Sequence, residues 1–280
     1  MDILKIMIEK GINLDIPRAV INNESILLWA LKNNQMDIAK LLIEKGAAID
    51  KGAFNSRPLD YLVTNKLENL LFSHGEDNNP LWLWHFYNIK ANLQEWNENF
   101  DEAIKYYKKC LSIPTLGAFE YGATFVNMAI SYRCKYILQT SKDEKTIDKS
   151  VKLGRLGMLL KQSVGDRDEM PVVLHNFALN VLYKISNVMD LSLCNEVLET
   201  TNEALSILDK TKSIKRLGMV LIENYIVKNF LKIDTKDIVT KLEKHLENLT
   251  QSELNQLLNI YKEFEKNNKI HKLEFLDKLF

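Results

Sequence analysis

Proline and glycine are scarce, at five and ten in 280 residues. Sandwiches and barrels need many more turn residues, so this shortage argues for long helices over sheets. Cysteine is scarcer still. Cys110, Cys134 and Cys194 stand far apart and form no CxxC pair. An odd, scattered set argues against a disulfide scaffold. All three fall in apolar helical patterns, as buried thiols in a reducing compartment do. Net charge is absent too, with 37 basic and 37 acidic residues, and arginine is rare among the basic ones. That argues against broad attraction to nucleic acid or anionic lipid. It also removes the planar guanidinium on which bidentate phosphate recognition leans. No run approaches the roughly 20 apolar residues of a membrane span. The opening "MDILKIMIEKG" carries Asp2 and Glu9 and no small-residue cleavage site, unlike a Sec-type signal peptide. The expectation is a cytoplasmic chain without membrane insertion; delivery into a host cell by a route other than Sec stays open.

What is present is ordinary in bulk and patterned in detail. Apolar residues make up 46% and charged residues 26%, as in globular domains. Length allows one elongated body or two domains. "DILKIMIEKGINLD" (2–15) returns as "DIAKLLIEKGAAID" (37–50), and more weakly as "KLENLLFSHG" (66–75). Each copy reads as a short amphipathic helix closed at Gly11, Gly46 or Gly75, where glycine supplies a left-handed cap. "SILLWALKNNQ" (25–35) and "SRPLDYLVTN" (56–65) precede the later copies. Pro58-Leu59-Asp60, Leu27-Leu28-Trp29-Ala30 and the run Ile38, Leu41, Leu42, Gly46, Ala47 resemble the two helices of the ankyrin repeat. The resemblance covers about 1–76. Leu28 and Asp60 stand where that family has a histidine. Residues 2–11 match a second helix without a first, as a natural cap or the edge of a longer protein would.

"GEDNNP" (75–80) interrupts the pattern with glycine, acids, asparagine and proline, and marks a domain boundary. Beyond it, Phe100, Ala103, Tyr107, Cys110 and Pro114 follow the aromatic-small-aromatic-small-proline order of a second tetratricopeptide (TPR) helix. The helix before it, 81–95, carries Trp82, Trp84, Phe86 and Tyr87 and should be largely buried. Asn127, Ala129 and Tyr132 resemble a first TPR helix, and Asn176 and Ala178 repeat it. That interval exceeds the family period of about 34 residues. Residues 77–280 are therefore identified as TPR-like, with long helices. Further hairpins are expected over 191–231 and 235–264, and a capping helix over 267–280.

The densest cluster of polar groups is "GDRDEMPVVLHNFALN" (165–180). As chemistry it offers Asp168 or Glu169 as base, Arg167 as anion clamp and His175 as acid. Spacing favours a structural role. Gly165 closes one helix, Asp166 with Glu169 has capping-box spacing, and acids suit a first turn. Thr250 to Glu253 has similar spacing. His175 then falls about two turns in, among Val, Leu, Phe and Ala. The five histidines are scattered, which argues against a metal site, and no nucleophile elbow, Walker loop or dinucleotide fingerprint occurs. "LGRLGM" (153–158) lies within a helical pattern, where its two glycines suit close helix packing. No cofactor is expected.

The two resemblances imply an all-α fold: ankyrin repeats docked on a TPR-like α-solenoid, a right-handed superhelix of helical hairpins. They imply a non-catalytic scaffold that binds a protein or peptide on a concave face. Some TPR domains clamp a carboxylate tail with basic residues. The matching places here hold Asn88, Asn92, Asn127, Val172 and Asn176, without the cations, so a neutral polar groove is expected instead. Its candidates are Asn88, Asn92, Asn127, Arg133, His175, Asn176, Asn180 and Tyr183. The Lys-, Ile- and Asn-rich composition suits a bacterial adaptor, host-directed effector or toxin-neutralising immunity protein. The alternatives are a regulatory part of a larger enzyme and an enzyme built on 166–175.

Overall fold

A computed structural model describes residues 10, 25–45, 47–49, 58–65, 67, 80–139, 142–166, 169–186, 190–211, 216–245, 255, 258–259 and 261–262. The described secondary structure is helical, with no strand among these residues. The helices are α1 (Ile26–Lys32), α2 (Met36–Glu44), α3 (Pro58–Thr64), α4 (Pro80–Trp96), α5 (Phe100–Leu111) and α6 (Ala118–Leu138). They continue as α7 (Glu144–Ser163), α8 (Met170–Ile185), α9 (Leu191–Thr211), α10 (Leu217–Phe230) and α11 (Lys236–His245). Several expectations lie outside the described residues. They are the opening helix at 2–11, the glycine caps at 11, 46 and 75, most of the 66–75 copy, and the 75–79 break. Also outside are Arg167, Asp168, the 250–253 cap and the closing helix at 267–280.

The chain forms two compact units, 1–116 and 117–280. In the first, α1 packs on α2 and α3, α3 on α4, and α4 on α5. Leu27, Leu31, Leu42, Leu59 and Leu62 fill its core with Trp82, Phe86 and Ile89 of α4. Ser25 caps α1 by accepting from the Leu28 N–H at 3.1 Å, the role a hydroxyl before an apolar run predicts. Along α5, Ala103, Tyr107 and Cys110 are fully buried, the positions where small and aromatic residues alternate. Tyr107 donates its hydroxyl proton to Asn92 Oδ1 at 2.7 Å. Trp82, Trp84 and Phe86 are buried, and Tyr87 is half-buried.

In the second unit each helix packs on the next, from α6 through α11. Alternate helices also touch, α6 with α8 and α8 with α10. Glycine lets α6 and α7 approach closely. A Cβ at Gly157 would stand 2.9 Å from both the Gly122 carbonyl and the Val126 amide nitrogen. The glycines of "LGRLGM" thus serve close packing. Asp143 caps α7, accepting from the Lys145 N–H at 3.1 Å and the Thr146 hydroxyl at 2.8 Å. Gly165 ends it at φ +69°, a left-handed turn that glycine adopts without strain.

The expected capping box at 166–169 forms only in part. Asp166 accepts from the Glu169 N–H at 3.3 Å. Glu169, however, turns its carboxylate to Lys161 Nζ at 2.9 Å, and α8 proper starts at Met170 with Pro171 in its first turn. Lys161 decides this. Its stem is buried, and two carboxylates are needed to satisfy its charge. A second difference concerns the thiols: Cys110 and Cys194 are buried, but Cys134 is only half-buried.

Candidate functional site

Helix α8 carries the motif with the most polar groups, and it is buried around nearly its whole circumference. Only Val172 and Lys184 are half-buried. Its sequence dictates this. Val173, Leu174, Phe177, Ala178, Leu179, Val181 and Leu182 leave no polar face, and a helix apolar all round belongs in a core. The polar residues within that run must therefore find partners inside the protein.

They find them on α6 and α10. Arg133 of α6 is buried and reaches α8 with both guanidinium nitrogens. Nη1 donates to the Asn176 carbonyl at 3.1 Å and to Asn180 Oδ1 at 2.7 Å, and Nη2 donates to Asn176 Oδ1 at 3.2 Å. Gly154 of α7 makes room for this. A Cβ there would lie 2.7 Å from Asn180 Nδ2. His175 points the other way, with Nδ1 2.7 Å from Glu223 Oε1 of α10. Beside Glu223, Asn224 donates to Thr201 Oγ1 at 2.8 Å and to Asn202 Oδ1 at 3.0 Å on α9.

Burial pushes the Glu223 carboxyl above its ordinary range, against the pull of His175, Arg133 and Arg216. This arrangement is a buried polar seam joining four helices, α6, α8, α9 and α10. Chemically it can hold or release a proton at the His175–Glu223 contact.

No protein-family model matches the chain, and no curated protein matches it.

The eight residues of the expected polar groove therefore divide. Arg133, His175, Asn176, Asn180 and Tyr183 are buried. Asn127 is half-buried on α6. In the other unit, Asn88 and Asn92 are half-buried on α4, where Asn92 accepts from Tyr107. The structure brings together Arg133, His175, Asn176 and Asn180, and it adds Glu223, Asn224 and Thr201. The signal for the additions was in the sequence: "LIENYIV" (221–227) sets a lone Glu-Asn pair inside an apolar run. Such a pair in a buried helix demands partners.

Of the acid–base set expected over 166–175, Glu169 meets Lys161 at 2.9 Å while His175 faces Glu223, and Arg167 and Asp168 lie outside the described residues. The cap residue Asp166 also meets Lys161, at 2.8 Å. Near Asp166 a cleft of about 680 Å³ is lined by Gln162, Met170, Glu203 and Lys210. Among the described residues no group of three or more His, Cys, Asp or Glu could hold a metal ion. No described helix is long and apolar enough to cross a membrane.

Proposed function

We propose that the chain is a non-catalytic protein–protein interaction scaffold, ankyrin-like over 1–76 and a TPR-like α-solenoid over 77–280. The supporting observation is the order of packing in the second unit. Each helix from α6 to α11 rests on its neighbour in sequence, and alternate helices α6, α8 and α10 line up. Repeat architectures pack in this neighbour-to-neighbour way and present an extended surface to a protein or peptide. The zero net charge suits a partner held by shape and shared hydrogen bonds rather than by field. Nucleic acid is not the proposed partner, and no membrane insertion is involved. Asn127 is the candidate contact in the second unit, and Asn88 and Asn92 are the candidates in the first. The buried five belong to the interior of the second unit.

Affinity capture from the native host, read by mass spectrometry, tests this. The expected result is a protein partner retained across several salt concentrations. Its affinity should fall at least about tenfold, or about 1.4 kcal/mol, in an Asn127→Lys variant that keeps its helical signal. Recovery of nothing above background at any salt overturns the reading.

A further inference from the structure

Among the described residues of the second unit, Glu223 is the most deeply buried charge-bearing group, at 0% exposure in the apolar run Met219–Val227. Oε1 is close to His175 Nδ1. Oε2 meets no hydrogen-bond donor among the described residues, and neither does the neighbouring Asn224 Oδ1. An ionised carboxylate normally collects several donors when buried, and this one is short of them.

The charged groups facing it come from α6, α8 and the start of α10. From α6, Arg133 faces it, held by Asn176 and Asn180. From α8 comes His175, and from the start of α10 comes Arg216. Arg155 of α7 lies over the Phe177 ring of α8, but it is paired with Glu196 of α9 at 2.6 and 2.7 Å. Elsewhere α9 offers the neutral Thr201 and Asn202. Helix α11 packs on α10 with Ile238 and Leu242 buried, and its Asp237 faces Lys228.

We propose that the Glu223–His175 pair is a proton-uptake site whose loading tightens the packing of α6, α8 and α10 in mild acid. With the proton on board, Glu223 is a neutral acid whose O–H can point at the imidazole nitrogen, and the oxygen that meets no donor no longer carries charge. Without it, a charged carboxylate is wholly buried, with the His175 ring nitrogen 2.7 Å from one oxygen and two guanidinium groups nearby.

Burial holds the carboxyl above the ordinary value of 4.5, outweighing the three cations. The folded state therefore binds this proton more firmly than the unfolded chain does. That contribution to stability is complete below about pH 4.5, and it is lost as pH rises through the higher folded value. Asp143 acts in the opposite sense. The Thr146 hydroxyl, then the Lys145 amide and the nearby lysines, hold its carboxyl down. Its share is therefore present above the ordinary range and lost as pH falls. A melting curve of the whole protein mixes the two. A substitution at Glu223 separates them.

Glu223→Gln keeps the shape and mimics the protonated state. Thermal midpoints of the full chain and of E223Q are compared from about pH 4.5 to about pH 8. The expected result is a higher midpoint for E223Q at the alkaline end, with the gap closing towards the acidic end. A lower midpoint for E223Q at the alkaline end, or a gap that does not change with pH, overturns the proposal. If E223Q fails to fold, the ¹³C carboxyl resonance of Glu223 in the unaltered protein decides. Its inflection is expected above 4.5; one at or below that value refutes the uptake site.

Discussion

Lys161 shows at the scale of one residue how a charge becomes tolerable in a core. Its side chain is 1% exposed, with Nζ 2.8 Å from Asp166, 2.9 Å from Glu169 and 3.5 Å from the centre of the Phe119 ring. Lys161→Ala should lower unfolding free energy by about 1–3 kcal/mol, because the half-buried carboxylate of Asp166 loses its donor and the stem leaves a void. Lys161→Met, which keeps the stem, should cost less. Denaturant titration of both variants checks the order, and equal losses would mean that the ion pairs alone matter and the stem contributes nothing. Cys110 gives a second test. Burial pushes its thiol up to about 12, so near neutral pH almost none is thiolate, the reactive form. Alkylation followed by mass spectrometry should therefore label half-buried Cys134 well before Cys110, until denaturant is added. Burial of Cys110 was legible from its place in a small-aromatic pattern. The half-exposure of Cys134 was not, because its apolar neighbours say nothing about which way the helix is turned.

At the scale of the element, glycine inside α7 sets the distance between helices. Gly157→Ala brings a methyl to 2.9 Å from two backbone atoms of α6, which cannot swing aside. A loss of about 1–3 kcal/mol is expected, with the helical signal retained and the midpoint lowered. Gly154→Ala meets Asn180 Nδ2 at 2.7 Å instead. A side chain can move, but only by leaving the Arg133 contact. Combining Gly154→Ala with Asn180→Ala should therefore cost less than the sum of the two single losses, as measured by a double-mutant cycle. Close packing was readable in "LGRLGM" from two glycines in a helical pattern. The partner backbone was not readable, because contact across helices leaves no local sequence mark. Helix ends were legible to different degrees. Gly165 ends α7 as glycine predicts. The box at Asp166 and Glu169 forms on one side only, because a buried lysine from the preceding helix competes for the second carboxylate.

At the scale of the molecule the described residues form two cores that share none of them, one around Leu27, Leu42, Leu59 and Trp82 and one around Phe177, Leu182, Leu221 and Ile226. Leu42→Ala should cost about 2–5 kcal/mol within the first unit. Hydrogen exchange should then speed up in α1 to α3 while α8 and α10 keep their protection. Equal loss of protection in both units would mean that they unfold together. The sequence by itself determined the all-helical class, the span of most helices and the residues that fill each core. Those follow from local periods, caps and the shortage of glycine and proline. Only the tertiary structure decided the role of Arg133, His175, Asn176 and Asn180. The groove expected from the repeats assumes that α8 has an outer polar face. A helix buried all round has none, so its period cannot tell a surface asparagine from one that receives a buried arginine. That choice rests on Gly154 and Glu223, which reach α8 from two other helices.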